Sequence, residues 1–117
     1  MTIAEIMQDL QAIRHQNDDE QTERIKKHLL RLENTVRFEV LGLPEKNSLS
    51  EDEILKVGVP YDTMYLQYAK SMQDLENMEY QSYNNNYSIF VSIYEEYQRQ
   101  HRAKVTPRNK TKVKNYG

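Results

Sequence analysis

The run Tyr61-Asp62-Thr63-Met64-Tyr65-Leu66-Gln67-Tyr68-Ala69-Lys70-Ser71-Met72-Gln73-Asp74-Leu75 decides the fold. Tyr61, Tyr65, Tyr68, Met72 and Leu75 recur at spacings of three and four, which puts them on one face of a helix, and Asp62 stands where an N-cap is wanted. Downstream, Tyr83, Tyr87, Phe90, Tyr94 and Tyr97 repeat the spacing. Between the two stripes the polar punctuation is Asn77 and Asn84-Asn85-Asn86, so the chain is expected to turn back within 77–86 and form a helical hairpin. Tyr80, Tyr83, Asn84 and Asn85 are expected to shape that turn or a subunit contact.

Upstream, Ile25, Leu29, Leu32, Val36 and Val40 form one apolar stripe, with Asp18 or Asp19 as N-cap and Gly42 as the expected residue just past its end. Ile3, Ile6, Met7, Leu10 and Ile13 predict a short helix over about 2–14, opened by Thr2 and Glu5 as a capping box. Gly42 and Pro44 begin the one long break, Gly58 and Pro60 end it, and Pro107 is expected to interrupt any helix continuing from Arg102. The second half of the break, Ile54 to Val59, is β-branched and expected to lie extended. The 42–60 loop carries mixed charge (Glu45, Lys46, Glu51, Asp52, Glu53, Lys56) and few apolar anchors before Ile54, so little core is expected to depend on it.

These readings predict an all-α fold: a small antiparallel helical bundle of about four helices, with one long loop and a flexible basic C-terminal tail. The helical domain spans 1–103 and the tail 104–117. The expected core is Leu29, Leu32, Val36, Tyr65, Tyr68, Met72, Phe90 and Tyr94.

The 117 residues suit one domain, and 9% aromatics supply the bulk that a disordered chain with 29% charged residues would lack. There is no cysteine, which removes disulfides and thiolate chemistry. No apolar run is long enough for a membrane span, and Met1-Thr2-Ile3-Ala4-Glu5 has no basic or apolar leader pattern, so no signal peptide is expected. The net charge of −2 conceals a separation: seven bases and no acid follow from Arg99 onward, giving +7, while all 18 acids precede it with nine bases, giving −9.

Little points to catalysis. His15, His28 and His101 are far apart and form no pattern that brings two imidazoles to one metal. Asp18-Asp19-Glu20 lacks the alternation and glycine of a calcium loop and reads as a helix cap. Glu95 and Glu96 are adjacent on a helix and diverge by about 100°. Three glycines are too few for a phosphate cradle. No enzyme, cofactor or metal is expected.

Nine tyrosines, eight of them between Tyr61 and Tyr97, suit a helical hairpin core with surplus rings for an interface. A stacking platform for single-stranded nucleic acid would need interleaved bases, and Lys70 is the only one between 57 and 98. The basic end fits a solubility tail, a nucleic-acid arm or an arm that folds onto an acidic partner, and composition leaves all three open.

The order of features resembles the small head–tail connector (adaptor) proteins of long-tailed phages and prophages of Gram-positive bacteria. The likeness covers residues 2 to 102. It is carried by Val59-Pro60-Tyr61-Asp62 with Tyr65 entering a helix, by Glu79-Tyr80 with Tyr83-Asn84-Asn85, and by Phe90 and Tyr94. The chain departs from the pattern at Met78, near which a small residue or glycine belongs, and in an aromatic-poor Gln98 to Arg102.

The resemblance implies a structural virion protein of the neck, made in the bacterial cytoplasm. Its subunits would form a homo-oligomeric, twelvefold ring under the portal protein. That ring would extend the channel through which DNA passes without specific binding and would seat a stopper or tail-completion protein. Arg99, Arg102, Lys104, Arg108, Lys110, Lys112 and Lys114 would dock on the portal. Glu45, Lys46, Glu51, Asp52 and Glu53 would face the channel or the next ring. The alternative is a small helical nucleic-acid-binding or regulatory protein that uses the basic tail.

Overall fold

The structure, a computed structural model, describes residues 1–14 and 18–114, of which 105–114 are described as helical backbone only. Among them are four α-helices: α1 (Ile3–Arg14), α2 (Asp19–Thr35), α3 (Thr63–Glu76) and α4 (Tyr80–Lys114). His15 and the last three residues, with Tyr116, lie outside the described set.

Each helix starts much as its sequence dictates. The Thr2 amide donates to Glu5 Oε1 at 2.9 Å and the Glu5 amide to Thr2 Oγ1 at 3.2 Å, the reciprocal capping box. Asp18 caps α2 through Oδ1, accepting from the Glu20 and Gln21 amides. Asp62 occupies the expected position before α3, but its side chain makes no capping bond. Instead the entry tightens through its backbone, with Met64 N donating to Tyr61 O and Tyr65 N to Asp62 O.

The α2 stripe continues beyond Thr35, but through a π turn, Val36–Val40, that the sequence did not announce. The segment stops at Gly42, whose φ of +64° is a conformation that a side chain would strain, and Leu43 N reaches back to Arg37 O at 2.7 Å.

The turn between α3 and α4 is Asn77–Glu79, closed by Met78 N to Leu75 O and Glu79 N to Asp74 O. Tyr80, Tyr83, Asn84 and Asn85 all lie on α4, which corrects the part of their expectation that placed them in the turn. The reversal rests on Met78 at φ 59°, left-handed backbone that a side chain strains.

The last helix also runs further than expected, its backbone carrying on past Pro107 to Lys114. A proline removes one amide from the ladder, whereas Ala103, Lys104, Arg108, Lys110, Lys112 and Lys114 around it favour helix.

The core is one cluster built from every helix: Ile3, Ile6 and Leu10 of α1, Ile25, Leu29 and Leu32 of α2, Val36 of the π turn, Met64, Tyr65 and Ala69 of α3, and Phe90 of α4. Of the expected core, Leu29, Leu32, Val36, Tyr65, Met72 and Phe90 are buried, while Tyr68 and Tyr94 pack against the cluster half-covered.

The long loop belongs to this core, contrary to expectation. Leu55 and Val57 are buried in it and Leu49 packs on it. Leu55 N bonds Met1 O at 2.9 Å, Ala4 N bonds Glu51 O at 3.1 Å, and Thr2 and Ile54 form an antiparallel bridge. The physical reason is local. A loop crossing a helix bundle must satisfy its own amides, and here the α1 entry and two α2 side chains supply the partners.

Candidate functional site

Three buried polar contacts hold the bundle and set what it presents. In the first, the Tyr65 hydroxyl donates to Glu33 Oε1 at 2.7 Å and accepts from the Val57 amide at 3.0 Å, while Lys56 N donates to Glu33 Oε2 at 2.7 Å. Burial, reinforced by the Glu33 carboxylate, pushes the Tyr65 phenol far above its ordinary value, so it stays a neutral donor.

In the second, Asp74 of α3 receives the Arg14 guanidinium of α1 on both oxygens and, on Oδ2, Ser82 at 2.8 Å and Asn86 at 2.7 Å from α4. Burial alone would raise this carboxyl. The Arg14, Ser82 and Asn86 donors outweigh it and hold Asp74 below the usual carboxylate range. The third joins Gln73 Nε2 to Gln21 Oε1 at 3.1 Å and Gln21 Nε2 to Asn77 Oδ1 at 3.0 Å.

Glu33, Asp74 and Arg14 were not singled out by sequence reasoning, and Asn86, read there as turn punctuation, lies on α4 and donates to Asp74. A signal existed for Glu33, which stands four residues after Leu29 on the apolar face of α2. Asp74 had one too, within a stretch where Ser71, Met72, Gln73 and Asp74 are all buried because α3 is covered by α1, α2 and α4 together.

The tyrosines form an aromatic ladder on α4. Tyr83 stacks on Tyr87 at 5.4 Å, Tyr87 meets Phe90 at 5.5 Å and Phe90 stacks on Tyr94 at 5.8 Å, with Tyr68 of α3 at 4.9 Å from Phe90. Burial, then Glu39 and Tyr97, pushes the Tyr94 phenol up to about 12. Further along, Tyr61 meets Tyr97 edge to face at 5.9 Å, and Tyr97 meets His101 at 6.3 Å. Tyr80, Asn84 and Asn85 are exposed on the outer side of α4.

The loop residues expected to face a channel or ring are brought together with α2. Lys46 pairs with Glu53, and Lys26 with Glu51. The Lys46 ammonium holds the Glu53 carboxyl below its ordinary value. Lys46 exchanges two bonds with Asn34: its amide donates to Oδ1 at 2.8 Å and its carbonyl accepts from Nδ2 at 2.9 Å. Glu45 lies apart, lining an open groove beside exposed Phe38 and Glu39. Asp52 is exposed.

Of the residues expected to dock on a partner, Arg99 pairs with Glu96 at 2.8 Å on the same helix, and Arg102 and Lys104 are exposed. Such an exposed pair is worth less than about 1 kcal/mol. For Arg108, Lys110, Lys112 and Lys114 only the helical backbone is described, and it places all seven bases on one helix.

Among the described residues no group of three or more His, Asp or Glu is placed to hold a metal ion, and no helix is long and apolar enough to cross a membrane. Comparison with protein-family models, with curated proteins and with solved structures finds no match for this chain.

Proposed function

We propose that this chain is a structural assembly subunit, a head–tail connector whose helical body joins a ring under the portal and whose basic α4 end docks on the portal. The observation that carries the reading is the charge separation along the chain, with all 18 acids and nine bases before Arg99 and seven bases from it onward, all seven on the far half of α4. Its 35 residues, at 1.5 Å each, reach about 50 Å. They begin against the net-acidic body and end in a run of bases with no acid after Glu96. A basic helical arm is steered toward an acidic surface, which speeds its encounter with an acidic partner. The same acidic body suits a channel wall past which DNA slides without adhering, since like charge opposes binding.

The experiment is electron microscopy and pull-down of the full chain with purified portal, alongside a chain ending at Arg102. Rings on the portal that are lost with the truncation support the assignment. Portal binding that the truncation leaves undiminished removes the role given to the basic end.

A second reading is favoured by the same helix. Seven bases on one helix also suit the phosphates of duplex DNA. An arm that neutralises several phosphates shows a steep fall of affinity with salt, close to one power of salt concentration per contact. A connector shows little DNA binding at physiological salt.

A further inference from the structure

Beyond the basic end itself, the strip Gly58–Tyr61 and the α4 segment from Tyr97 to Lys104 face each other across an open cleft of about 410 Å³. One wall is apolar and held in place. Val59 is 85% exposed, whereas Val57, two residues earlier, is fully buried and tied by its amide to the Tyr65 hydroxyl. A large aliphatic side chain held in water by a buried neighbour is already ordered for a contact, so little entropy is lost when a partner covers it. Tyr61 and Tyr97, edge to face, line the cleft beside it. The opposite wall carries one fixed cation, Lys104, which has no ion pair among the described residues, with Gln100 and the His101 ring beside it.

We propose that this cleft seats an acidic, extended segment of a partner protein, with an aliphatic or aromatic side chain against Val59 and the tyrosine pair and a carboxylate beside Lys104. The inference rests on the assembly reading only for the source of that segment, which is the protein on which the basic end of α4 docks. Charge selects an acidic occupant, because Lys104 lines the cleft without an ion pair among the described residues and none of the lining residues is an acid. The apolar wall selects a protein over a nucleic acid. Covering Val59 with another apolar side chain removes both from water, and a phosphate backbone offers no such gain. The tyrosine rings already meet edge to face, so the pair is a poor platform for stacked bases.

The test titrates the full chain at low salt with the acetylated, amidated peptide Glu-Asp-Leu-Glu-Asp, followed by amide NMR. The expected result is saturable shifts at Val59, Tyr61, Tyr97 and Gln100, weakened at least about tenfold by Val59→Asp or Lys104→Glu. Both substitutions fall at exposed positions, and circular dichroism checks that each variant is folded. Absent cleft shifts, or shifts that neither substitution weakens, overturn the proposal. So do larger shifts with oligothymidylate that survive Val59→Asp, which would hand the cleft to nucleic acid. Portal binding separates this from the connector assignment. A wild-type chain that binds the peptide and not the portal removes the connector and keeps the cleft. Portal binding indifferent to both substitutions keeps the connector and overturns the cleft.

Discussion

Tyr65 donates its hydroxyl proton to Glu33 at 2.7 Å across the α2–α3 interface and, through the same oxygen, accepts the amide of Val57. One phenol therefore fastens two helices and the long loop, and the loop's buried pair, Leu55 and Val57, is held in the core by it. Tyr65→Phe keeps the ring and strands a buried carboxylate oxygen and a buried amide. The expected loss is about 1–3 kcal/mol in urea unfolding. A loss below about 0.5 kcal/mol would mean that water or a rotated Glu33 replaces the bond.

Asp74 sets an acid limit on the fold. Its folded-state value lies below the ordinary 3.8, so its contribution is complete above that value and is lost as the pH falls from there through the folded value. Asp74→Asn therefore destabilises most near neutral pH, by about 3 kcal/mol, at the lower end for a broken buried pair because Arg14 can turn toward water. The gap between wild type and variant narrows below pH 4 in thermal melts. A gap constant from pH 7 to pH 3 contradicts the assignment.

Met78 makes the α3–α4 reversal with a φ of 59° and a 73% exposed side chain. Met78→Gly relieves that backbone and forfeits little burial. Glycine's larger freedom in the unfolded chain offsets part of the gain, leaving stabilisation of about 0.5–1 kcal/mol. Urea midpoints measure it, and an unchanged or lower midpoint would show that the turn is not strained.

Replacing Glu45–Glu53 with a Gly/Ser linker removes the Lys46–Asn34 exchange, the Ala4–Glu51 bond, the Lys46–Glu53 and Lys26–Glu51 pairs and the Leu49 contact. At about 1 kcal/mol per backbone bond and less for each ion pair, the loss is about 2–4 kcal/mol, near 10 °C in melting temperature. A shift of only a few degrees would return the loop to the dispensable role that its composition suggests.

What the sequence determined by itself is local and periodic. The Thr2–Glu5 box, the Asp18 cap, the Gly42 stop and the stripes of all four helices are readable because each depends on residues within one or two turns, and the all-α class follows from them. Most of the expected core was legible for the same reason. The tertiary structure alone decided the rest. Asp74 gathers Arg14, Ser82 and Asn86 from 60 residues upstream and 8 and 12 downstream. Glu33 meets Tyr65 across 32 residues, and the Tyr61–Tyr97 pair brings Val59 beside the basic end of α4. No period in a chain encodes such meetings. They arise where a buried polar group must find a partner or lose its hydration uncompensated, and which partner lies within reach is fixed only when the helices pack.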